Sequence, residues 1–277
     1  MAEAVIDEDR YPLAEPGSAA WREVVERARQ GLAEDGCTVL EGFVKDPRAL
    51  QEECAGVAGR AYTRLEVVNA YNIAVDTPLP EGHPGRIAME KGNAFVARDD
   101  IPAEFVIHRL YASEAFQGFV AACFELPVVH ELADPLSGLV LNVIEPGLAH
   151  PWHFDTNEYT VSMLTQEPDE GGVFEYCPGI RSPESENFDD VAGVLTGRRP
   201  DLVRHLTLKP GDLQLFKGRY ALHRVTEVAG ARARHSAIFA YSEKPGVIGS
   251  VERTRQLFGR VLPEHRSAAV RSDQLLD

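Results

Sequence analysis

The chain has 277 residues, of which 44% are hydrophobic, and this is enough to bury the core of one large domain. Its 43 acidic and 28 basic residues give a formal net charge of −15, which disfavours nucleic acid and anionic membranes as partners because both are bound through basic surfaces. The sequence contains no apolar run long enough to span a bilayer. We therefore expect a protein that acts on a small molecule, and these quantities do not distinguish a monomer from an oligomer.

Residues 1–17 are rich in charge, proline and glycine, and they are predicted to form a flexible N-terminal arm. The initial sequence MAEAVIDEDR has neither the basic nor the apolar segment of a secretory signal. The cysteines are widely spaced, as is typical of free thiols in a reducing compartment. A cytoplasmic location is the resulting expectation.

The segment 18–126 is predicted to be mainly helical support for the rest of the chain. From Ser18 onward, apolar residues recur every three or four positions until Gly36, which predicts one amphipathic helix. A strand is predicted over 37–43. Asp46 and Pro47 then have the character of a helix N-terminus, and 102–124 again has a helical pattern.

After Pro127 the pattern changes to short apolar runs separated by glycine-rich turns, such as GLVLNVIEPG and DLQLFKG. This spacing predicts a mainly β fold with flanking helices, whose core over about 127–246 is a jelly roll of the cupin or double-stranded β-helix kind. Residues 247–277 are predicted to form a C-terminal helical segment, and 18–277 a single domain.

The sequence HPWHFDTN at 150–157 places two histidines and an aspartate within six residues, just where a strand begins. Side chains at positions i and i+2 of a strand share a face, so His153 and Asp155 can bind one metal ion together. His223, 70 residues later on another predicted strand, supplies a third ligand. Two histidines and one carboxylate suit iron(II) that keeps open positions. The alternative is a polar turn in which Asp155 caps backbone amides and His153 only packs.

A second pair, Arg234-x-Ser236, opens the strand that follows His223. A guanidinium fork donates two parallel hydrogen bonds to a carboxylate, and a hydroxyl two residues along the same face donates one more. The pair therefore predicts a clamp for a carboxylate that lies close to the metal. Arg232 is the alternative cation, and Arg234 is preferred because Ser236 follows it at i+2.

Together, the His-x-Asp pair, the distal histidine and the Arg-x-Ser pair resemble the iron(II)/2-oxoglutarate-dependent dioxygenases across roughly residues 135–246. The resemblance implies a double-stranded β-helix that holds iron(II) through the histidine and aspartate ligands described above. It also implies O2 and 2-oxoglutarate as co-substrates, with the far carboxylate of 2-oxoglutarate bound by Arg234 and Ser236.

The sequence HPWHFD is more specifically similar to the branch of this family that hydroxylates or halogenates free amino acids, notably lysine-type substrates. In that branch a histidine three residues before the first iron ligand, here His150, and an upstream arginine hold the substrate carboxylate. Arg86 is the candidate arginine, with Arg98 as the alternative. Trp152 and Asn157 are predicted to line the substrate pocket.

Halogenases of this branch have a small residue where this chain has Asp155, so the resemblance implies hydroxylation of an amino acid with a long or polar side chain. Succinate and CO2 would be released. The same iron site is also compatible with desaturation, with ring closure, or with a carrier-bound or peptide substrate. A cupin-like module that binds metal without turnover is a third reading, against which the Arg234-x-Ser236 pair argues.

Overall fold

Two antiparallel β-sheets face each other in the computed structural model, which describes residues 5–267. The larger sheet has the order β1 (Cys37–Leu40), β12 (Leu213–Phe216), β8 (Thr160–Gln166), β15 (Arg234–Ser242), β6 (Leu139–Ile144) and β4 (Ala94–Val96), and β5 (His130–Glu131) also pairs with β15. The smaller sheet has the order β11 (Arg204–Leu206), β10 (Phe174–Cys177), β13 (Leu222–Val225) and β7 (His150–His153). Two short ribbons pair β2 (Glu66–Val68) with β3 (Met89–Lys91) and β9 (Glu170–Gly171) with β14 (Val228–Ala229).

The helices of the described chain are α1 (Ala19–Asp35), α2 (Arg48–Ala58), α3 (Val106–Tyr111), α4 (Glu114–Cys123), α5 (Phe188–Leu195) and α6 (Val251–Phe258). None of these described helices is long and apolar enough to cross a membrane. The predicted fold class, mainly β with flanking helices around a double-stranded β-helix, is confirmed by the two facing sheets.

The ends of α1 follow from its sequence. The Ser18 hydroxyl accepts a hydrogen bond from the Trp21 amide, and Gly36 ends the helix at φ 64° while its N–H donates to the Leu32 carbonyl. The residues that α1 buries are those expected from the apolar spacing, namely Val24, Val25, Ala28 and Leu32. The predicted helical region 102–124 is two helices, α3 and α4, because Ser113 caps a second helix start.

The helical layer α1–α4 covers one face of the larger sheet, so the two faces of β15 have different surroundings. Ala237, Phe239 and Tyr241 pack into the same core cluster as the helices. Side chains alternate along a strand, so Arg234 and Ser236 point the other way, into the space between the sheets. This alternation directs the polar start of β15 towards the interior of the barrel.

Residues 5–17 differ from the predicted flexible arm. Ile6 forms a bridge with Val44, the Tyr11 hydroxyl donates to the Glu41 carbonyl at 2.7 Å, and Leu13 is fully buried. These three apolar side chains anchor the segment, and the density of charge around them masked that pattern in the sequence. The first four residues, and residues 268–277 of the predicted C-terminal helical segment, lie outside the described range.

Candidate metal centre and carboxylate site

The three predicted ligands meet at one end of the smaller sheet. His153 on β7 and His223 on β13 are cross-strand partners, and Asp155 follows β7 directly. Asp155 Oδ1 lies 3.6 Å from His153 Nε2 and 3.4 Å from His223 Nε2, and the ligand atoms all lie within 4.8 Å of one another. Among the described residues, this group of histidine and carboxylate side chains has the spacing to hold a metal ion.

Hydrogen bonds to the backbone orient both imidazoles. His153 Nδ1 lies 2.8 Å from the Pro151 carbonyl oxygen, and His223 Nδ1 lies 2.8 Å from the Ala221 carbonyl oxygen. A carbonyl only accepts, so each Nδ1 carries the proton and donates it. The lone pair of each Nε2 therefore points at the common centre, as in protein metal sites where the second ring nitrogen is held by a fixed acceptor.

The Asp155 carboxylate is held in one orientation by its neighbours. The Thr160 hydroxyl donates to Oδ2 at 2.6 Å, which leaves Oδ1 facing the two imidazoles. A Cβ atom at Gly218 would lie 2.1 Å from Oδ2, so only glycine leaves room for this carboxylate. Thr160 and Gly218 cannot be identified from a metal-ligand motif, because neither residue would bind the metal.

The protonation states of this group suit a divalent cation. Burial raises the pKa of Asp155, but the adjacent His223 and His153 hold it well below its usual range. Burial, followed by the neighbouring His223, lowers the pKa of His153 to about 4. At neutral pH the carboxylate is therefore ionised and the His153 imidazole is neutral, which are the forms that bind metal.

His150 stacks on His153, with ring centroids 3.9 Å apart and planes at 20°. In a regular strand, residues three apart would point to opposite faces. Here His153 pairs with His223 and His150 with Val225, so four residues of β7 span three of β13 in a β-bulge. The bulge brings His150 onto the ligand face, where burial lowers its pKa well below the ordinary value and keeps the imidazole neutral.

Trp152 lies on the opposite face of β7. The Arg224 guanidinium sits 4.6 Å above its ring, and Trp152 packs with Phe154 in the cluster outside the smaller sheet. It shares with His150 a hollow of about 290 Å³. The Trp152 ring thus lies on the face of β7 opposite to the ligand imidazoles, and its place in the substrate pocket stays a prediction.

Arg234 is buried between the sheets, and its Nη1 donates to the Ser236 hydroxyl at 3.1 Å. Burial lowers the pKa of Arg234 to about 10, and no carboxylate of residues 5–267 pairs with it. Arg232, the alternative cation, is half exposed and lies 3.4 Å from Asp169. A buried guanidinium without a counter-ion is costly, so the geometry of Arg234 fits an anion that arrives from outside the chain.

The remaining predicted residues lie farther from the ligands. Arg86 ends the 3₁₀ turn Pro84–Arg86 and is exposed, and no contact within the described chain joins it to the triad. Arg98 pairs with Glu131 at 2.6 Å and is therefore committed elsewhere. Asn157 is half-buried in the turn after Asp155. Neither Arg86 nor Arg98 has a contact with the three ligands within the described residues.

Three polar residues that the sequence gave no reason to select lie near the ligands. Lys91 ends β3 and is buried, Asn93 follows it, and Asn142 lies on β6 directly across from Ser236. The Asn93 side-chain amide donates to the Asn142 Oδ1 at 3.2 Å. Lys91 and Asn93 lie in a stretch rich in proline, glycine and charge, and no motif distinguishes them there.

Comparison with known proteins agrees with this geometry. The family described as Halogenase D matches residues 21–254. An oxidoreductase of the 2OG-Fe(II) oxygenase family from Burkholderia pseudomallei is similar in structure, with a TM-score of 0.51 and 14% identity, over 84% of this chain and 94% of that one. The non-heme α-ketoglutarate-dependent carbocyclase SnoK from nogalamycin biosynthesis is similar with a TM-score of 0.53 and 14% identity, over 78% of this chain and 83% of that one. AviO1 from Streptomyces viridochromogenes Tue57 is similar with a TM-score of 0.50 and 15% identity, over 78% of this chain and 94% of that one. Comparison with curated proteins gave no match.

The chain therefore belongs to the Halogenase D family within the iron(II)- and 2-oxoglutarate-dependent oxygenases. Dependence on iron(II) and 2-oxoglutarate is a property of this superfamily, and one similar structure, the epimerase SnoN, contains Fe3+ and α-ketoglutarate. The residues of this chain fit both groups. Two imidazole nitrogens and one carboxylate converge for the metal, and a buried guanidinium without an acidic partner in the described chain is available for the co-substrate.

Proposed function

We propose that this protein hydroxylates an unactivated C–H bond of a free α-amino acid with a long or polar side chain, releasing succinate and CO2. The observation that carries the proposal is the position of Asp155, whose Oδ1 faces the same point as His153 Nε2 and His223 Nε2. Halogenases of the branch that this sequence resembles have a small residue there. With the carboxylate present, the coordination position that chloride would use is taken, and hydroxylation is favoured.

In this proposal His153, Asp155 and His223 hold the iron. What the bound iron supplies is the activation of O2 that attack on an unactivated C–H bond requires. The protein's own part is to fix the ligands in orientation, through the backbone carbonyls that accept from the Nδ1 atoms and the Thr160 hydroxyl that donates to Asp155. Phe174 and Phe216 pack around the His223 ring and shield it from water.

Arg234 and Ser236 bind the far carboxylate of 2-oxoglutarate. Support for this assignment comes from burial, since Arg234 lies inside the barrel without an acidic partner in the described chain, while Arg232 is at the surface with Asp169. A binding module that held metal without turnover would have no use for a buried cation of this kind. The buried Arg234 therefore favours an enzyme over a cupin-like module that binds metal without turnover.

His150 contacts the substrate. It stands on the ligand face, stacked on His153, and a neutral imidazole there can donate to or accept from a polar group of the substrate. The net charge of −15 and the absence of a basic surface segment in the sequence favour a small molecule over nucleic acid. Trp152 and Arg86 have no part in this proposal, and Asn157 stays a candidate on the loop after Asp155.

The test is a screen of the twenty amino acids for stimulation of succinate formation, with iron(II), ascorbate and 2-oxoglutarate present. One amino acid or a few related ones should raise succinate production well above the background, and mass spectrometry should show the gain of one oxygen. A product two hydrogens lighter than the substrate would instead indicate desaturation or ring closure. Stimulation by a peptide or carrier-bound amino acid and by no free one would contradict the proposal.

A further inference from the structure

Lys91 is the one buried lysine of the chain, all of whose lysines lie in the described range. The others, Lys45, Lys209, Lys217 and Lys244, are exposed or half-buried. Lys91 pairs across the β2–β3 ribbon with Glu66, whose Oε1 lies 3.2 Å from Nζ. The two side chains are only 7% and 15% exposed, so this is an interior ion pair. Interior ion pairs are weak contributors to stability, because the desolvation of the two charges offsets their attraction.

The pair is close to His150, which stacks on the ligand His153. The ribbon lies alongside β7, where the Gly92 amide donates to the Ala149 carbonyl at 3.1 Å. The Phe95 ring lies 5.9 Å from Lys91 Nζ and 6.3 Å from the His150 ring, so it contacts both. Lys91 therefore stands on the His150 side of the ligand group.

Asn93, two residues after Lys91, has an unmet hydrogen-bonding capacity. Its amide nitrogen donates to Asn142, but its Oδ1 is buried and has no partner among the described residues. Leaving a buried acceptor unpaired is unfavourable, and such atoms in native proteins usually have a structural or functional reason. One short segment thus presents a buried cation, and beside it an acceptor that is free to take a hydrogen bond.

We propose that Lys91 and Asn93 form the subsite for the charged backbone of the amino-acid substrate, with Lys91 and His150 on its carboxylate and Asn93 Oδ1 and Glu66 on its ammonium group. This inference rests on the proposed function and deepens it. Lys91, in place of the exposed Arg86, is then the cation that binds the substrate carboxylate.

The charge arrangement explains why a zwitterion fits. Glu66 lies 3.2 Å from Lys91 and 3.7 Å from Arg64, so both signs of charge are present, and an amino acid that enters adds one negative and one positive charge without changing the net charge of the subsite. A ligand with only one of the two charges would leave a buried ion uncompensated, which is strongly unfavourable. Amino-acid carboxamides and N-acetyl amino acids should therefore bind roughly ten- to hundred-fold more weakly than the free amino acid.

The experiment starts from the amino acid that most strongly stimulates succinate formation by the wild-type holoenzyme. Half-saturating concentrations are measured for that amino acid and for its carboxamide in the wild type, Lys91→Met, Lys91→Arg and the exposed control Lys209→Met. Lys91→Met should raise the value for the free amino acid by roughly ten-fold or more and remove its preference over the carboxamide. Lys91→Arg should restore part of that preference, and Lys209→Met should match the wild type.

The double variant Lys91→Met with Glu66→Gln separates recognition from structure. If Lys91 served only to neutralise Glu66, removing both charges would restore the wild-type preference for the free acid, and the inference would be overturned. We expect the preference to stay lost. A Lys91→Met enzyme that still prefers the free acid would also overturn the inference while leaving the proposed function intact. A wild type that no free amino acid stimulates would overturn both.

Discussion

Gly218 has no side chain, and the space that this leaves is occupied by the Asp155 carboxylate. The Asp155 amide also donates to the Gly218 carbonyl at 3.2 Å, so the two chain segments meet through backbone and side chain together. Thr160 completes the enclosure from β8. The orientation of the one acidic ligand therefore depends on two residues that never approach the metal themselves.

Gly218→Ala should displace the Asp155 carboxylate, because the added Cβ would lie 2.1 Å from Oδ2. We expect iron(II) affinity to fall by roughly ten- to hundred-fold, as is usual when the residues that orient a ligand are disturbed. Anaerobic iron titration measures this, with circular dichroism to confirm the fold. Gly56→Ala on α2, where a Cβ meets nothing within 4 Å, is the matched control and should bind iron normally. Equal affinity in both variants would show that Gly218 has no such role.

Arg234→Ala should raise the 2-oxoglutarate requirement by one or more orders of magnitude, since charge-assisted hydrogen bonds contribute roughly 1.5–3 kcal/mol each. Arg232→Ala should change it little, because Arg232 is half exposed and pairs with Asp169 at the surface. The measurement is the concentration of 2-oxoglutarate that gives half-maximal succinate formation in each variant. The opposite ranking would move the co-substrate carboxylate to Arg232.

Among the secondary-structure elements, the β-bulge in β7 determines which side chains of this strand lie on the same face as the metal ligands. Without it, His150 would point with Trp152 to the outer face, and the ligand face would hold His153 alone from this strand. His150→Ala should therefore leave iron titration unchanged but raise the half-saturating amino-acid concentration several-fold, since it removes a substrate contact and no ligand. Loss of iron binding in this variant would mean that His150 supports His153 instead.

The iron ligands could be predicted from the sequence because each step obeys a local rule. His153 and Asp155 are two residues apart near a strand, and Ser236 follows Arg234 by the same interval. Lys91 could not be selected by a local rule. Its proposed role depends on its pairing with Glu66, which is 25 positions earlier in a segment where the sequence predicted no strand. The bulge is likewise absent from the sequence pattern, because it is set by the register between β7 and β13. A regular strand would put His150 on the face opposite to His153, so the sequence pattern alone does not place His150 beside the ligands.

For the whole molecule, stability should fall as the pH falls from about 6.5 towards 4. Burial, and next the positive charge of Arg234, lower the pKa of His235 to about 4, whereas an unfolded chain titrates near 6.5. Between these values the unfolded state binds a proton that the folded state does not, so each such histidine lowers the free energy of unfolding by about 1.4 kcal/mol per pH unit.

Urea unfolding of the metal-free protein at pH 7 and pH 5 would measure this dependence. His235 lies on the helix-facing side of β15 with its Nδ1 unpaired within the described chain, so His235→Leu removes the titration without touching the ligand face. The variant should lose part of the pH dependence and keep the part due to His153. The same slope in variant and wild type would contradict the assignment.

The unpaired guanidinium of Arg234 also implies that binding of the co-substrate should raise the stability of the folded protein. A barrel that buries a cation without a counter-ion is less stable than it would be with one, and in the proposed binding mode 2-oxoglutarate would bring the missing negative charge. By mass action, a ligand at a hundred times its dissociation constant adds about 2.7 kcal/mol to the free energy of unfolding. The lifetime of the native protein, and with it resistance to proteolysis, should therefore follow the concentration of a central metabolite even when no substrate is turned over.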